Sequence, residues 1–131
     1  MTDRGDLYSW GRGRYGVLGH DDGEQSHELP ARLRWLKADT AVNRLACGRW
    51  HCIALMNNNR LFSWGRNHRG QLGIGCVSRA STNLVAIELE PGEGRLPNVQ
   101  DIASGVSDSI YNEQSLELYH TSTILRIVTN L

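Results

Sequence analysis

Two stretches of this chain repeat one another in register at a fixed spacing. Asp6-Leu7-Tyr8-Ser9-Trp10-Gly11-Arg12, followed by Gly16-Val17-Leu18-Gly19, returns as Arg60-Leu61-Phe62-Ser63-Trp64-Gly65-Arg66, followed by Gly70-Gln71-Leu72-Gly73. The offset is 54 residues at every one of these positions. Leu, Ser, Trp, Gly and Arg all recur, and Tyr8 pairs with Phe62. A period of this size marks a chain built from supersecondary units that bury their apolar faces against one another. That restricts the fold more than length or composition does.

A second element lies between the matched stretches. Val42-Asn43-Arg44-Leu45-Ala46-Cys47-Gly48 resembles Val99-Gln100-Asp101-Ile102-Ala103-Ser104-Gly105 at an offset of 57, which also carries Leu61-Phe62 onto Leu118-Tyr119. A third copy is therefore traceable, with three extra residues absorbed between Glu88 and Gly94. It is eroded: Asp108 replaces His51, Thr121-Ser122 replaces Trp64-Gly65, and residues 109–114 keep little of the pattern.

Each unit reads as short strands. Asn43 to Ala46 alternates polar and apolar, and His51 to Met56 is an apolar run bounded by Gly48 and by Asn57-Asn58-Asn59. Leu61 to Trp64 follows that turn, as in a hairpin. Asn83 to Leu89 supplies an outer strand, so residues 42–89 make about four strands, one propeller blade. Pro30 and the repeat register favour strand over helix for Leu29 to Asp39, and the β-branched stretch Thr121 to Leu131 suits a strand. Glycine is 14 of 131 residues, about 11% against a usual ~7%. Most of it falls at the repeat's turns and strand ends. Gly11 and Gly65 follow a large Trp, where a left-handed turn or a close chain approach is needed.

The pattern Leu-Tyr/Phe-Ser-Trp-Gly-Arg, then Gly-x-Leu-Gly, then Ala-Cys-Gly-x-x-His, resembles the regulator of chromosome condensation repeat, specifically over residues 5–73 and more weakly to about 105. The resemblance implies a β-propeller, seven-bladed when complete. The expected fold is all-β, a partial propeller of about two four-stranded blades plus a degenerate third. Residues 1–41 form a half-blade with the first Ser-Trp-Gly repeat, 42–98 a complete blade, and 99–131 the degenerate repeat and a divergent tail. At about 55 residues per blade a full ring would need roughly 400 residues, so the chain reads as a fragment or truncated member. Exposed inter-blade faces predict self-association. The expected structural core is Trp10, Gly11, Gly16, Leu18, Gly19, Gly48, His51, Trp64, Gly65, Gly70, Leu72 and Gly73, with Trp10, Leu18, Trp64 and Leu72 in the layer between blades.

Chemical motifs are weak. His51 stands beside Cys47 and Cys52, but nucleophilic catalysis also needs a base within reach and an orienting group, and the family resemblance implies a structural hydrogen bond for this His. No catalytic, cofactor or metal residues are assigned. His20, His27 and their acidic neighbours Asp21, Asp22, Glu24 and Glu28 read as a solvated loop. Gly11, Gly13 and Gly16 imitate a dinucleotide fingerprint, yet no helix follows to give a phosphate its dipole. Three cysteines with no metal-type doublet fit a reducing compartment, cytoplasm or nucleus.

Lys+Arg and Asp+Glu both total 14, but not evenly along the chain. Residues 1–80 carry 12 basic and 7 acidic side chains, and residues 81–131 carry 2 and 7. Arg12, Arg14, Arg66 and Arg69 fall in equivalent loops, the expected partner-facing positions. No apolar run is long enough to span a bilayer. The leading expectation is a non-enzymatic protein-interaction scaffold. Guanine-nucleotide exchange on a small Ran-like GTPase, implied by the family, and a chromatin or anionic-surface contact through the arginine loops are the alternatives. Family members join such propellers to ubiquitin-ligase, kinase and BTB domains.

Overall fold

The computed structural model describes residues 1–35, 40–88, 99–104, 119–120 and 123–127. Three antiparallel sheets follow one another along the chain. Strands β1 (Tyr8–Gly11) and β2 (His27–Arg32) form a pair. Strands β3 (Val42–Cys47), β4 (His51–Met56), β5 (Leu61–Arg66) and β6 (Ala80–Ile87) form a meander in that order. Strands β7 (Val99–Ser104), β8 (Tyr119–His120) and β9 (Thr123–Ile127) form the third sheet, with β9 in its centre. The described residues contain no α-helix and a single 3-10 turn at Arg14–Gly16. The protein is all-β, as the strand-length apolar runs require. The expected divergence at residues 109–114, like Gly105, Asp108 and Thr121-Ser122, lies outside the described residues.

The four-stranded sheet shows why β4 is buried throughout. Every residue from His51 to Met56 is buried, because both faces of the strand are covered. Cys52, Ala54 and Met56 point to one side, where they meet Leu7, Leu33, Val42 and Trp64. Ile53 and Leu55 point to the other, packing with Leu61, Ile87, Val99 and Ile102. A strand's period of two therefore assigns alternate residues to the preceding and the following repeat. The Asn57-Asn58-Asn59 turn closes the β4–β5 hairpin, with Asn59 in the left-handed region at φ 63°. The Asn59 side chain also accepts from the Val99 N–H at 3.0 Å, fastening the turn to the start of β7.

The repeat is held internally by a recurring bond. The Ser63 hydroxyl donates to the Leu72 carbonyl at 2.8 Å, and Ser9 donates to the Leu18 carbonyl at 2.6 Å, each across nine residues. Leu72 and Leu18 are both buried beneath these loops. In both copies the strand register slips at the Ser-Trp-Gly step, between Ser9 and Gly11 and between Ser63 and Gly65. Such a bulge re-aims the side chain it carries. Gly11 and Gly65 sit there at φ 101° and 102°. At Gly65 a Cβ would also lie 2.4 Å from the Trp50 carbonyl oxygen, so both conformation and space demand glycine.

The bulge turns Trp64 toward the first repeat. Its indole N–H donates to the Val17 carbonyl at 2.9 Å, and a Cβ on Gly19 would come within 2.8 Å of its Nε1. Trp35 donates to the Gly19 carbonyl at 3.0 Å and meets Trp64 edge-on, ring centroids 5.7 Å apart. Two indoles thus satisfy carbonyls of the same Val17–Gly19 loop while burying apolar area.

Trp10 departs from the sequence expectation. The repeat pattern assigns it to the layer between blades, yet it is 58% exposed whereas Trp64 is 2% exposed. The physical reason lies outside its own motif. Trp64 is covered by a loop from the preceding repeat, and among the described residues no such loop packs on Trp10. Strand limits also shift: β6 begins at Ala80, three residues before the expected outer strand.

Trp64→Phe should therefore destabilise the fold by about 1–3 kcal/mol, because the half-buried Val17 carbonyl loses its indole donor. Trp10→Phe should change stability by no more than ~0.5 kcal/mol. Urea unfolding of the two variants measures the difference, and equal effects would refute this account of the joint.

Candidate functional site

The loop after β1 carries an aromatic residue in a conformation that few side chains adopt. Tyr15 lies at φ 62°, ψ 14°, a left-handed geometry that costs about 1–2 kcal/mol outside glycine. Its neighbours hold it there. The Gly16 N–H donates to the Gly13 carbonyl, and a Cβ on Gly13 would strike the Gln25 carbonyl oxygen at 1.7 Å. The Tyr15 backbone N–H donates to Glu24, whose carboxylate is also paired with Arg79. The Arg79 hydrogen bond, then the one from Tyr15, keeps the Glu24 carboxyl below its usual range. The same pairing raises the Arg79 pKa further above its usual value.

Guanidinium groups collect around the half-buried Tyr15 ring. Those of Arg14, Arg66 and Arg79 lie 4.8, 5.1 and 5.3 Å from its centroid. Trp50 meets the ring edge-on at 5.8 Å, and Arg49 sits 5.7 Å from the Trp50 ring. Arg14, Arg49 and Arg79 are exposed, and Arg66 is half-buried. Four guanidiniums and two aromatic rings thus share one edge where the first repeat meets the second, with Glu24 as the paired carboxylate. His68, beside this edge, has its pKa lowered by desolvation first and then by Arg66 and Arg69.

Of the arginines expected to face a partner, the structure brings Arg14 and Arg66 together on Tyr15. It leaves Arg12 and Arg69 exposed outside that cluster, the Arg69 backbone N–H being held by the Gln71 side chain at 2.8 Å. The sequence pattern does not single out Tyr15, Arg49, Trp50 or Arg79. Tyr15 stands at the position of Arg69 in the second copy, so a search for matched residues passes over it. Arg79 is 64 residues from Tyr15 in sequence, and only the fold joins them.

Gly16, Gly19, Gly70 and Gly73 all have positive φ. The Gly48 N–H donates to the His51 carbonyl at 2.8 Å and closes the β3–β4 hairpin. His51 is buried, with Nε2 2.7 Å from the Ser104 hydroxyl of β7. Strand alternation places the His51 side chain on the opposite sheet face from Cys52, so the sheet separates the imidazole from that thiol. In the acidic loop, His27 meets Asp22 at 2.6 Å and His20 meets Ser9 at 3.0 Å. Among the described residues no three His, Cys, Asp or Glu side chains converge as a metal site would require. No helix among them is long and apolar enough to cross a membrane.

The sequence matches the family model described as the Regulator of chromosome condensation (RCC1) repeat over residues 4–55 and 58–110. It is 41% identical to Protein RCC2 of Homo sapiens over 75 residues, 57% of this chain and 14% of that protein. It is 31% identical to the Ultraviolet-B receptor UVR8 of Arabidopsis thaliana over 114 residues, 87% of this chain and 24% of that protein. The chain thus spans less than a quarter of the length of either relative. Among solved structures the fold resembles Prp20p from Saccharomyces cerevisiae, with a TM-score of 0.70 at 18% identity, covering 99% of this chain and 35% of that one.

A carboxyl-carbon titration should find the Glu24 midpoint below that of ordinary glutamates, and Arg79→Ala should move it upward. Because the folded-state pKa is depressed, the pairing is complete above the unfolded value. It is lost as pH falls through the lowered folded one. A wild-type midpoint at or above the ordinary range would contradict the geometry.

Proposed function

The chain belongs to the regulator of chromosome condensation (RCC1) repeat family, and on that premise we propose that it acts as a non-enzymatic protein-interaction module. Its contact surface is the edge built on Tyr15 and Trp50. The observation that carries this reading is the convergence of Arg14, Arg66 and Arg79 on one tyrosine ring, with Arg49 on the adjoining tryptophan. Aromatic and arginine side chains are enriched at the energetic centres of interfaces. A rim of one charge sign steers an oppositely charged partner toward it. The partner is an acidic protein surface. Prp20p is described as binding Gsp1p and histones, and yeast RCC1, another fold neighbour, has been crystallised bound to Kap60. Protein partners are thus the precedent among proteins of this fold. A cytoplasmic or nuclear setting agrees with three free cysteines.

A second reading rests on the same arginines: contact with chromatin or another anionic surface. The two differ in salt response, because phosphate contacts release counterions and weaken steeply with added salt. Guanine-nucleotide exchange on a small Ran-like GTPase remains a family-derived alternative. It requires a large rigid surface that deforms a nucleotide site, and accelerated nucleotide release would support it.

Pull-down with the 131-residue chain, and with a longer parent protein, should retain a protein partner. Arg14→Ala/Arg66→Ala/Arg79→Ala should weaken that binding by about ten-fold or more, while Arg12→Ala/Arg69→Ala should weaken it less. Retention of nothing by either chain, or equal losses in both variants, would sink the proposal. Binding to duplex DNA with a steep salt slope would favour the anionic-surface reading.

A further inference from the structure

The β3–β4 hairpin also places two thiols in register at the joint between repeats. Cys47 and Cys52 are directly opposite partners in the ladder. The Gly48 N–H donates to the His51 carbonyl, so positions 48 and 51 form a hydrogen-bonded pair. Antiparallel ladders alternate, which makes 47 and 52 a non-hydrogen-bonded pair, the type whose Cα atoms lie closest, at about 4.5 Å. That spacing falls inside the range a disulfide spans without backbone movement, roughly 4.4–6.8 Å. The two Sγ atoms are 3.0 Å apart with no bond between them.

The pair is asymmetric. Cys47 is exposed and Cys52 is buried. The Cys52 thiol donates toward Cys47 Sγ, and it also lies 3.8 Å from the Val17 carbonyl that receives the Trp64 indole. We propose that Cys47 and Cys52 form an oxidisable dithiol site, in which a hydroperoxide attacks first at exposed Cys47 and buried Cys52 resolves the product as a reversible cross-strand disulfide. The Cys52 hydrogen bond lowers the Cys47 pKa, while the same contact and burial raise that of Cys52, so Cys47 is the more acidic of the two thiols. A low-pKa, accessible thiol beside a resolving cysteine is the arrangement that oxidation selects.

The chemistry balances. The Cys47 thiolate bonds to one oxygen of the peroxide, the O–O bond breaks, and hydroxide leaves, giving a sulfenic acid. The Cys52 sulfur then attacks the Cys47 sulfur and the S–O bond breaks. The departing hydroxide takes the Cys52 proton as water. With the first hydroxide also protonated, two thiols and one hydrogen peroxide become a disulfide and two waters. Closure draws the Cys52 sulfur toward β3 and removes the proton it shares between Cys47 and the Val17 carbonyl. The oxidation state is thereby felt at the joint. In a reducing compartment the bond would be transient.

Trypsin makes the test direct, since Arg44, Arg49 and Arg60 bracket the two cysteines in separate peptides, 45–49 and 50–60. The 131-residue chain is titrated with hydrogen peroxide, alkylated and digested. The expected result is a linked 45–49/50–60 peptide lighter by two hydrogens than its separate parts, which disappears on reduction. It should be lost in Cys47→Ser, which replaces an exposed thiol by a hydroxyl, and retained in Cys76→Ser. Circular dichroism of Cys47→Ser should match the wild type, so that loss of the product reports chemistry and not unfolding. Oxidation of Cys47 to sulfinic or sulfonic acid without a linked peptide would overturn the proposal. So would exclusive cross-linking through Cys76.

Discussion

The indole N–H of Trp64 bonded to the Val17 carbonyl couples one repeat to the next, and the surrounding structure is arranged to make that bond possible. The bulge at Gly65 aims the indole, Gly19 leaves room for it, and Trp35 covers the neighbouring carbonyl of the same loop. Alternate residues of β4 supply the apolar bed beneath it: Cys52, Ala54 and Met56 on the same face as Trp64. The opposite face carries the matching contact to the following repeat, through Ile53, Leu55 and the His51–Ser104 bond. The β3–β6 sheet therefore has two distinct faces and serves two interfaces with one set of strands.

Where the copies agree, the shared residues build this frame. Where they differ, local chemistry appears. The second copy has Asn67 where the first has Gly13. Buried Asn67 ties its own loop to Cys76, Ser78 and Leu72, whereas Gly13 admits the Gln25 backbone so closely that no side chain fits. Another difference, Tyr15 against Arg69, gives the first loop the ring around which guanidinium groups from both repeats collect. Divergence between repeats thus adds local chemistry to a common scaffold.

The all-β class and the order of the β3–β6 meander are readable from the sequence because strand runs, the Asn-rich turn and the Ser-Trp-Gly step are local signals. Burial is not. Trp10 and Trp64 share the same flanking residues and differ only in what a neighbouring repeat lays over them. The aromatic–arginine edge is half readable. Arg14 and Arg66 follow from loop equivalence, but Arg79 reaches Tyr15 only because β6 begins beside the first repeat's loop. The thiol pair is visible as a spacing. Its meaning depends on whether positions 47 and 52 occupy a bonded or a non-bonded rung, which only the ladder register decides.

The two kinds of bond in this fold also operate over different lengths of chain. Ser9 to Leu18 and Ser63 to Leu72 each close nine residues, whereas Trp64 to Val17 closes 47 and His51 to Ser104 closes 53. Closing a longer loop costs more entropy, and folding slows as non-local contacts dominate. Each serine loop can form by local search within its own repeat, and the joints must wait until two repeats are already shaped. Nucleation is therefore local and cooperativity is regional, so a change at Ser63 acts on the formation of one repeat and a change at Trp64 acts on how firmly two repeats stay together.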